Sequence, residues 1–283
     1  GRTGALTPVA IMEPVKVGGV KVTQATLHNQ EEIQRKDIRE GDTVLIHRAG
    51  DVIPEVVEVL TAFRDSNSRA FLMPKNCPSC SEPVVQMEGE VISRCVNPNC
   101  PAVLIESLKH FVSKKALNMD KIGEKLIEKL IERKRLKRMS DFFRLTETDL
   151  KELERQGEKS VQNTLQSIQA SQQTTLARFI YALGIRFVGE STAASLANHF
   201  GSMNKLLQSH REELLSIPDI GPKVADSILR TITKKSFIQE IEDLLSLGVK
   251  PIQPILSGTK TLKNLQIVIT GTLPLDRDQV KHL

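Results

Sequence analysis

Two sets of residues in this 283-residue chain have types and spacings that suggest chemistry. The first is the full complement of cysteines, Cys77, Cys80, Cys95 and Cys100, arranged as two short-spaced pairs fourteen residues apart. Thiolates at knuckle spacing suit a tetrahedral, borderline-soft zinc ion, and four of them leave no coordination position open for water or substrate. The expectation is therefore a structural zinc site that does no catalysis. Two disulfides or a metal-free remnant are the alternatives. His110 is a further potential ligand, but it lies on a helical pattern and four thiolates suffice.

The second set is four glycines, Gly123, Gly157, Gly189 and Gly221, which recur at intervals of 34, 32 and 32 residues in similar phrases, such as Lys121-Ile122-Gly123-Glu124-Lys125 and Asp219-Ile220-Gly221-Pro222-Lys223. In each phrase one helical pattern stops and a second begins just after the glycine. Glycine permits a left-handed backbone or close approach by another group. The first turn of the following helix offers unpaired N–H groups and the positive end of a macrodipole, an arrangement that receives a phosphate. Pro222 suits the first helical position, and Lys125, Lys159 and Lys223 can add charge from the side. These features predict a helix-hairpin-helix array that grips a nucleic-acid backbone through main-chain amides. A helical solenoid with glycines merely at its corners is the alternative. Gly184 to Ser191 nearly spells a phosphate-binding P-loop, but Glu190 replaces the required lysine, so that reading fails.

Among the elements that must hold these residues, Leu104 to about Leu247 reads as helical, with Leu126, Ile127, Leu130 and Ile131 forming one apolar stripe. Positions two before each glycine are Lys121, Arg155, Phe187 and Asp219 instead of a second glycine, which predicts looser turns. The run Arg133-Lys134-Arg135-Leu136-Lys137-Arg138 is either an electrostatic footprint for nucleic acid or a solvated helix face. Net charge is only +5, with no tryptophan and one tyrosine, so base stacking on aromatic platforms is a poor fit and a duplex held by its backbone is a better one. No apolar run reaches the ~18 residues of a membrane span and no secretory signal is visible, so no membrane and a cytoplasmic setting are expected. Gly1 is not a natural start, which marks the sequence as a fragment.

Before the cysteines, short runs alternate with period two, Gly18-Gly19 signals a hairpin, and a helical patch spans Gln30 to Arg35. Several strands and one helix in under seventy residues suggest a small barrel of the oligonucleotide-binding (OB) type. Arg48 to Pro54 forms a tip in which Val52 and Ile53 read either as core or as aliphatics able to wedge into a minor groove. After Gly258, Leu265 to Thr270 reads as a buried strand, with a helix beginning near Asp276.

Gly1-Arg2-Thr3-Gly4, Thr7-Pro8-Val9-Ala10, Ala25-Thr26-Leu27-His28-Asn29 and Arg48 to Pro54 closely resemble the OB domain of bacterial NAD-dependent DNA ligases. The resemblance extends through the chain in module order. It implies a multidomain α+β fold: OB domain 1–68, with its first strand partly before Gly1; four-cysteine zinc module with linker 69–104; four-hairpin all-α domain 105–250; linker 251–264; and the start of a BRCT domain 265–283. It implies that Arg2, Arg48, Val52 and Ile53 face DNA at a nick, with the two aliphatics in the minor groove, and that the hairpins pack in pairs, Gly123 with Gly157 and Gly189 with Gly221. In that family AMP passes from NAD to a lysine in a Lys-x-Asp-Gly phrase and then to a 5′-phosphate, with magnesium, before joining to a 3′-hydroxyl. No such phrase occurs here, so no catalytic residue is assigned. The expectation is a monomeric DNA clamp that serves an upstream adenylation domain of the same protein, with NAD and magnesium needed only by the full-length enzyme. A non-catalytic junction or repair scaffold, or a zinc-ribbon protein of transcription or translation, are the rival readings.

Overall fold

The computed structural model describes residues 1–48, 53–87, 89–152 and 157–253. The expected BRCT segment and nearly all of the expected linker lie outside these residues, as does Val52.

The first module is a curled sheet with strand order β1 (Val9–Val17), β2 (Val20–Thr26), β5 (Glu55–Val59), β4 (Val44–His47). Gly18 and Gly19 both take positive φ in the β1–β2 turn, as a two-residue hairpin requires. Helix α1 (Gln30–Arg35) begins at Asn29, whose side chain accepts from the Glu32 N–H, and buries only Ile33. A two-stranded ladder, β3 (Arg39–Glu40) with β6 (Arg69–Ala70), completes the module. Its core is small: Ala25, Leu27, Ile33 and Val56 form one buried apolar cluster, with Val22 buried apart from it. Alternation places Val44 and Ile46 against that core but turns Val9, Ile11 and Val57 outward, with Ile11 84% exposed.

The zinc module is a short hairpin, β7 (Val84–Gln86) with β8 (Ser93–Cys95). The N-terminal residues run along its edge: the Leu6 N–H donates to the Ser93 carbonyl and the Cys95 N–H to the Gly4 carbonyl, both at 2.9 Å. Gly4 sits at φ +76, and a Cβ there would lie 2.1 Å from the Cys95 carbonyl oxygen. Only glycine fits.

Cys100 opens α2 (Pro101–Val112), which leads into the helical array: α3 (Glu124–Glu132), α4 (Glu147–Lys151), α5 (Glu158–Ala170), β9 (Gln173–Thr175), α6 (Leu176–Ala182), α7 (Glu190–Phe200), α8 (Met203–Leu207), α9 (Arg211–Leu215), α10 (Pro222–Ile232), α11 (Lys235–Ser246) and β10 (Lys250–Ile252). Of the α3 stripe, Leu126, Ile127 and Leu130 are buried as its period predicts, and Ile131 partly so. One continuous core, running from Leu108 through Phe111, Phe142 and Phe179 to Val249, underlies all four hairpins. β10 pairs in parallel with β9, so Pro251 and Ile252, expected in the linker, still belong to the array.

Candidate nucleic-acid interface and metal centre

The sulfur atoms of Cys77, Cys80, Cys95 and Cys100 all lie within 4.8 Å of one another, with Cys80–Cys95 at 3.5 Å and Cys77–Cys100 at 3.8 Å. These separations exclude disulfides, whose sulfurs lie ~2.05 Å apart. They suit zinc, because Zn–S bonds of ~2.3 Å give a tetrahedral S···S edge of about 3.8 Å. Backbone N–H groups of Ser79 and Cys80 pull the Cys77 thiol below its ordinary range, while burial pushes Cys95 up to about 12. A divalent cation at the centre would hold all four as thiolates. The Ala102 N–H donates to Ser79 Oγ at 3.3 Å, so the cysteine knuckle also steadies the first turn of α2. His110 is no ligand: its Nε2 bonds the Tyr181 carbonyl at 2.7 Å, and burial lowers its pKa.

Each of the four glycines is the residue immediately before a helix: Gly123 for α3, Gly157 for α5, Gly189 for α7 and Gly221 for α10. All four are exposed. The left-handed backbone anticipated for them is absent. Their φ values run from −63° to −93° with extended ψ, a region open to any residue. Nor does packing demand glycine, since a Cβ at any of them would meet nothing within 4 Å. Asn, Asp or Ser would cap such helices better, as Asn29, Thr146, Thr175 and Ser202 do for α1, α4, α6 and α8. No side chain caps the four glycine-led helices. At Gly123, Gly157 and Gly221 the N–H of the third helical residue closes on the glycine carbonyl, so the donors left beside each side-chain-free corner are the earlier ones, of which Pro222 supplies none.

The left-handed residue lies two positions earlier: Lys121 (φ +67), Phe187 (φ +66) and Asp219 (φ +66). Arg155 is outside the described residues. The turns are thus as tight as glycine would make them, at a cost of roughly 1–2 kcal/mol each for a non-glycine residue. Buried Ile122, Val188 and Ile220 pin them from inside. At the Gly189 and Gly221 corners the Val188 N–H closes on the Ile185 carbonyl and the Ile220 N–H on the Ile217 carbonyl. Residues of the corners expected to pair approach one another. Lys121 lines a groove with Gly157 and Lys159, and the Lys223 ammonium lies 5.0 Å from the Phe187 ring centre.

Lys125, Lys159 and Lys223 are exposed beside their corners. Three first-turn glutamates are matched by lysines: Glu124 with Lys109 at 3.1 Å, Glu158 with Lys151 at 3.4 Å and Glu190 with Lys115 at 2.7 Å. Sequence reasoning missed these offsets, because partners seven or more residues away leave no periodic trace. The cations of the basic run stay exposed, with its three arginines ion-paired within the fold. Arg133 pairs with Glu152, Arg135 with Asp149, and Arg138 with Asp243 and Glu240, which braces α3 against later elements. Arg2 is half-buried, with its Nη1 shielded beside Gly184 and without a hydrogen-bond partner among the described residues. Arg48 is half-buried at the end of β4, and Ile53 is 71% exposed.

Comparison with known proteins bears on this geometry. The family model of the NAD-dependent DNA ligase OB-fold domain matches residues 1–68, that of the NAD-dependent DNA ligase C4 zinc finger domain matches 76–102, and that of the helix-hairpin-helix motif matches 178–241. Along its full length the chain is 55% identical to a DNA ligase of Bdellovibrio bacteriovorus and 46% identical to one of Cellvibrio japonicus. It is 47% identical, over 99% of its length, to a DNA ligase of Methylococcus capsulatus. It spans 42% of the length of each of these relatives. An OB fold and a C4 zinc finger of ligase type, followed by helix-hairpin-helix corners, place the chain in the NAD-dependent DNA ligase family, to part of whose length it corresponds.

Proposed function

We propose that this chain is the part of an NAD-dependent DNA ligase that holds nicked duplex DNA while an adenylation domain of the same protein performs the chemistry. The four glycine corners take phosphates on main-chain amides without reading bases. Lys125, Lys159 and Lys223 release counterions as they neutralise neighbouring phosphates. Ile53, together with Val52 and Arg48, approaches the minor groove from the barrel side. The zinc ion fixes structure only. NAD and magnesium serve the complete enzyme, in which this region's contribution is to orient the two DNA ends, and orientation supplies a large share of a rate enhancement. The protein acts as a monomer on DNA in the bacterial cytoplasm.

The observation that carries this reading is the set of four exposed glycines that neither backbone conformation nor internal packing requires. Among the described residues, no helix is long and apolar enough to cross a membrane. The test is Gly189→Val. Its φ of −87° and ψ of −175° suit a β-branched residue and the added atoms enter open space. Helix content and melting temperature should therefore change little, while affinity for nicked duplex falls on the order of tenfold, or ~1.4 kcal/mol. Undiminished affinity would remove the phosphate-site reading, and a preference for branched over nicked DNA would favour a junction scaffold.

A further inference from the structure

A chain of contacts runs from the zinc module to the second pair of corners. It begins at Arg94 on β8, which is buried among the zinc ligands' neighbours and donates through Nη1 to Thr3 Oγ1 at 2.9 Å and through Nε to Glu90 at 3.1 Å. The Glu90 carboxylate, only 13% exposed, accepts Arg186 Nη2 at 2.5 Å on both oxygens. Those two arginines hold its pKa below the ordinary carboxylate range, with Arg186 the larger influence. Arg186 belongs to the tight turn that ends at Gly189. Its guanidinium carbon lies 4.4 Å from the centre of the adjoining Phe187 ring, and its carbonyl accepts from Ser227 Oγ on α10 at 2.8 Å. The same ring is approached by Lys223, two residues beyond Gly221.

Phe187 has two unusual features. It is a bulky side chain in the left-handed region, an outlier for such a residue, and it stays 38% exposed, so burial does little to offset the strain. What the ring does contact is two cations, one anchored by Glu90 and one projecting beside a phosphate corner.

We infer that Glu90 is a positioning residue for DNA binding: through Arg186 and Phe187 it sets the Gly189 turn and the placement of Lys223, so that the zinc module orients the second pair of corners. This rests on the DNA-holding function proposed above. A desolvated, doubly bonded carboxylate is a fixed point, whereas an exposed lysine alone would sample many rotamers.

Glu90→Gln and Arg186→Met separate this from simple charge effects. Both variants are to be titrated in the whole chain against a nicked duplex by fluorescence anisotropy, with bound zinc measured in each. Coulomb's law alone predicts opposite signs, because the first variant removes a negative charge near DNA and the second a positive one. Positioning predicts that both weaken binding by about fivefold and that the double variant is little worse than either. Lys223→Ala should flatten the dependence of log affinity on log salt by about one, while Glu90→Gln leaves that slope as in the wild type. Tighter or unchanged binding by a zinc-loaded Glu90→Gln protein overturns the inference. If Glu90→Gln loses its zinc, the decision passes to Arg186→Met. That variant leaves every residue of the zinc module in place, and unchanged binding in it overturns the inference equally. A wild-type chain that ignores duplex DNA would instead defeat the underlying function.

Discussion

The two pairs of glycine corners share a backbone but differ in how they are held. Around Gly123 and Gly157 the support is helical: α3, α4 and α5 close on Phe142 and Leu150, and Arg135 ties the end of α3 to Asp149. Around Gly189 and Gly221 the support also comes from outside the array, since Glu90 of the zinc module grips Arg186, and Phe187 and Ser227 join the two hairpins. The helix-hairpin-helix family model matches this second pair and its surroundings, 178–241. The difference teaches that a corner's amides are generic while its support is local. One pair should depend on metal, and the other should not.

Zinc removal is the strongest way to break that comparison. Structural zinc contributes apparent binding free energies of ~10–16 kcal/mol in small modules, so a chelator should unfold the β7–β8 hairpin. The helical signal should persist, because the array's core contains none of the cysteines. Amide exchange should quicken around Gly189 and stay slow around Ile127 and Leu130; equal loosening at both pairs would erase the distinction. Next in size is Gly123→Val set beside Gly189→Val. Each should weaken duplex binding on the order of tenfold, and the two effects should add, as independent sites do. A smaller effect is expected from Phe187→Gly. It relieves ~1–2 kcal/mol of backbone strain and forfeits cation–π contacts of ~0.5–1 kcal/mol each, so thermal stability should hardly move while the hold on Lys223 weakens. A melting temperature several degrees lower would show that the ring is structural packing.

The smallest effect concerns acid and the first pair. Hydrogen bonds from Thr146, its backbone N–H first, outweigh burial and with Arg135 hold Asp149 below the usual carboxylate range. A depressed folded value means the stabilisation is complete above the unfolded pKa of ~3.9 and is lost as pH falls through the folded one. Asp149→Asn should therefore remove part of the acid sensitivity of the α4 region, and an identical acid melt would show the capping box to be idle.

Much of this architecture is written locally in the sequence. The cysteine spacing states the metal site, Gly18-Gly19 the hairpin, the helical patch at Gln30 to Arg35 helix α1, and the Leu126–Leu130 stripe the buried face of α3. What escapes is long-range. Arg133 to Arg138 reads equally as a footprint for nucleic acid or a solvated helix face, because ion-pair partners such as Asp149 and Asp243 arrive from elsewhere in the fold. Nothing local in the sequence signals that Arg2 sets its Nη1 against Gly184. The lack of a glycine two positions before each corner suggests loose turns, whereas Lys121, Phe187 and Asp219 accept the strained conformation because buried neighbours pin it. The role of Phe187 has no visible signal, since it depends on Glu90 reaching across 96 residues.

The central claim is that main-chain nitrogens at the corners hold the DNA. Backbone amide chemical shifts recorded during titration with a nicked duplex test it most directly. The account predicts that the largest shifts fall on Gly123 to Lys125, Gly157 to Lys159, Gly189 to Ser191, and Gly221 with Lys223, and that they fade with added salt. Shifts confined to other surfaces, with those amides unmoved at saturation, would contradict it.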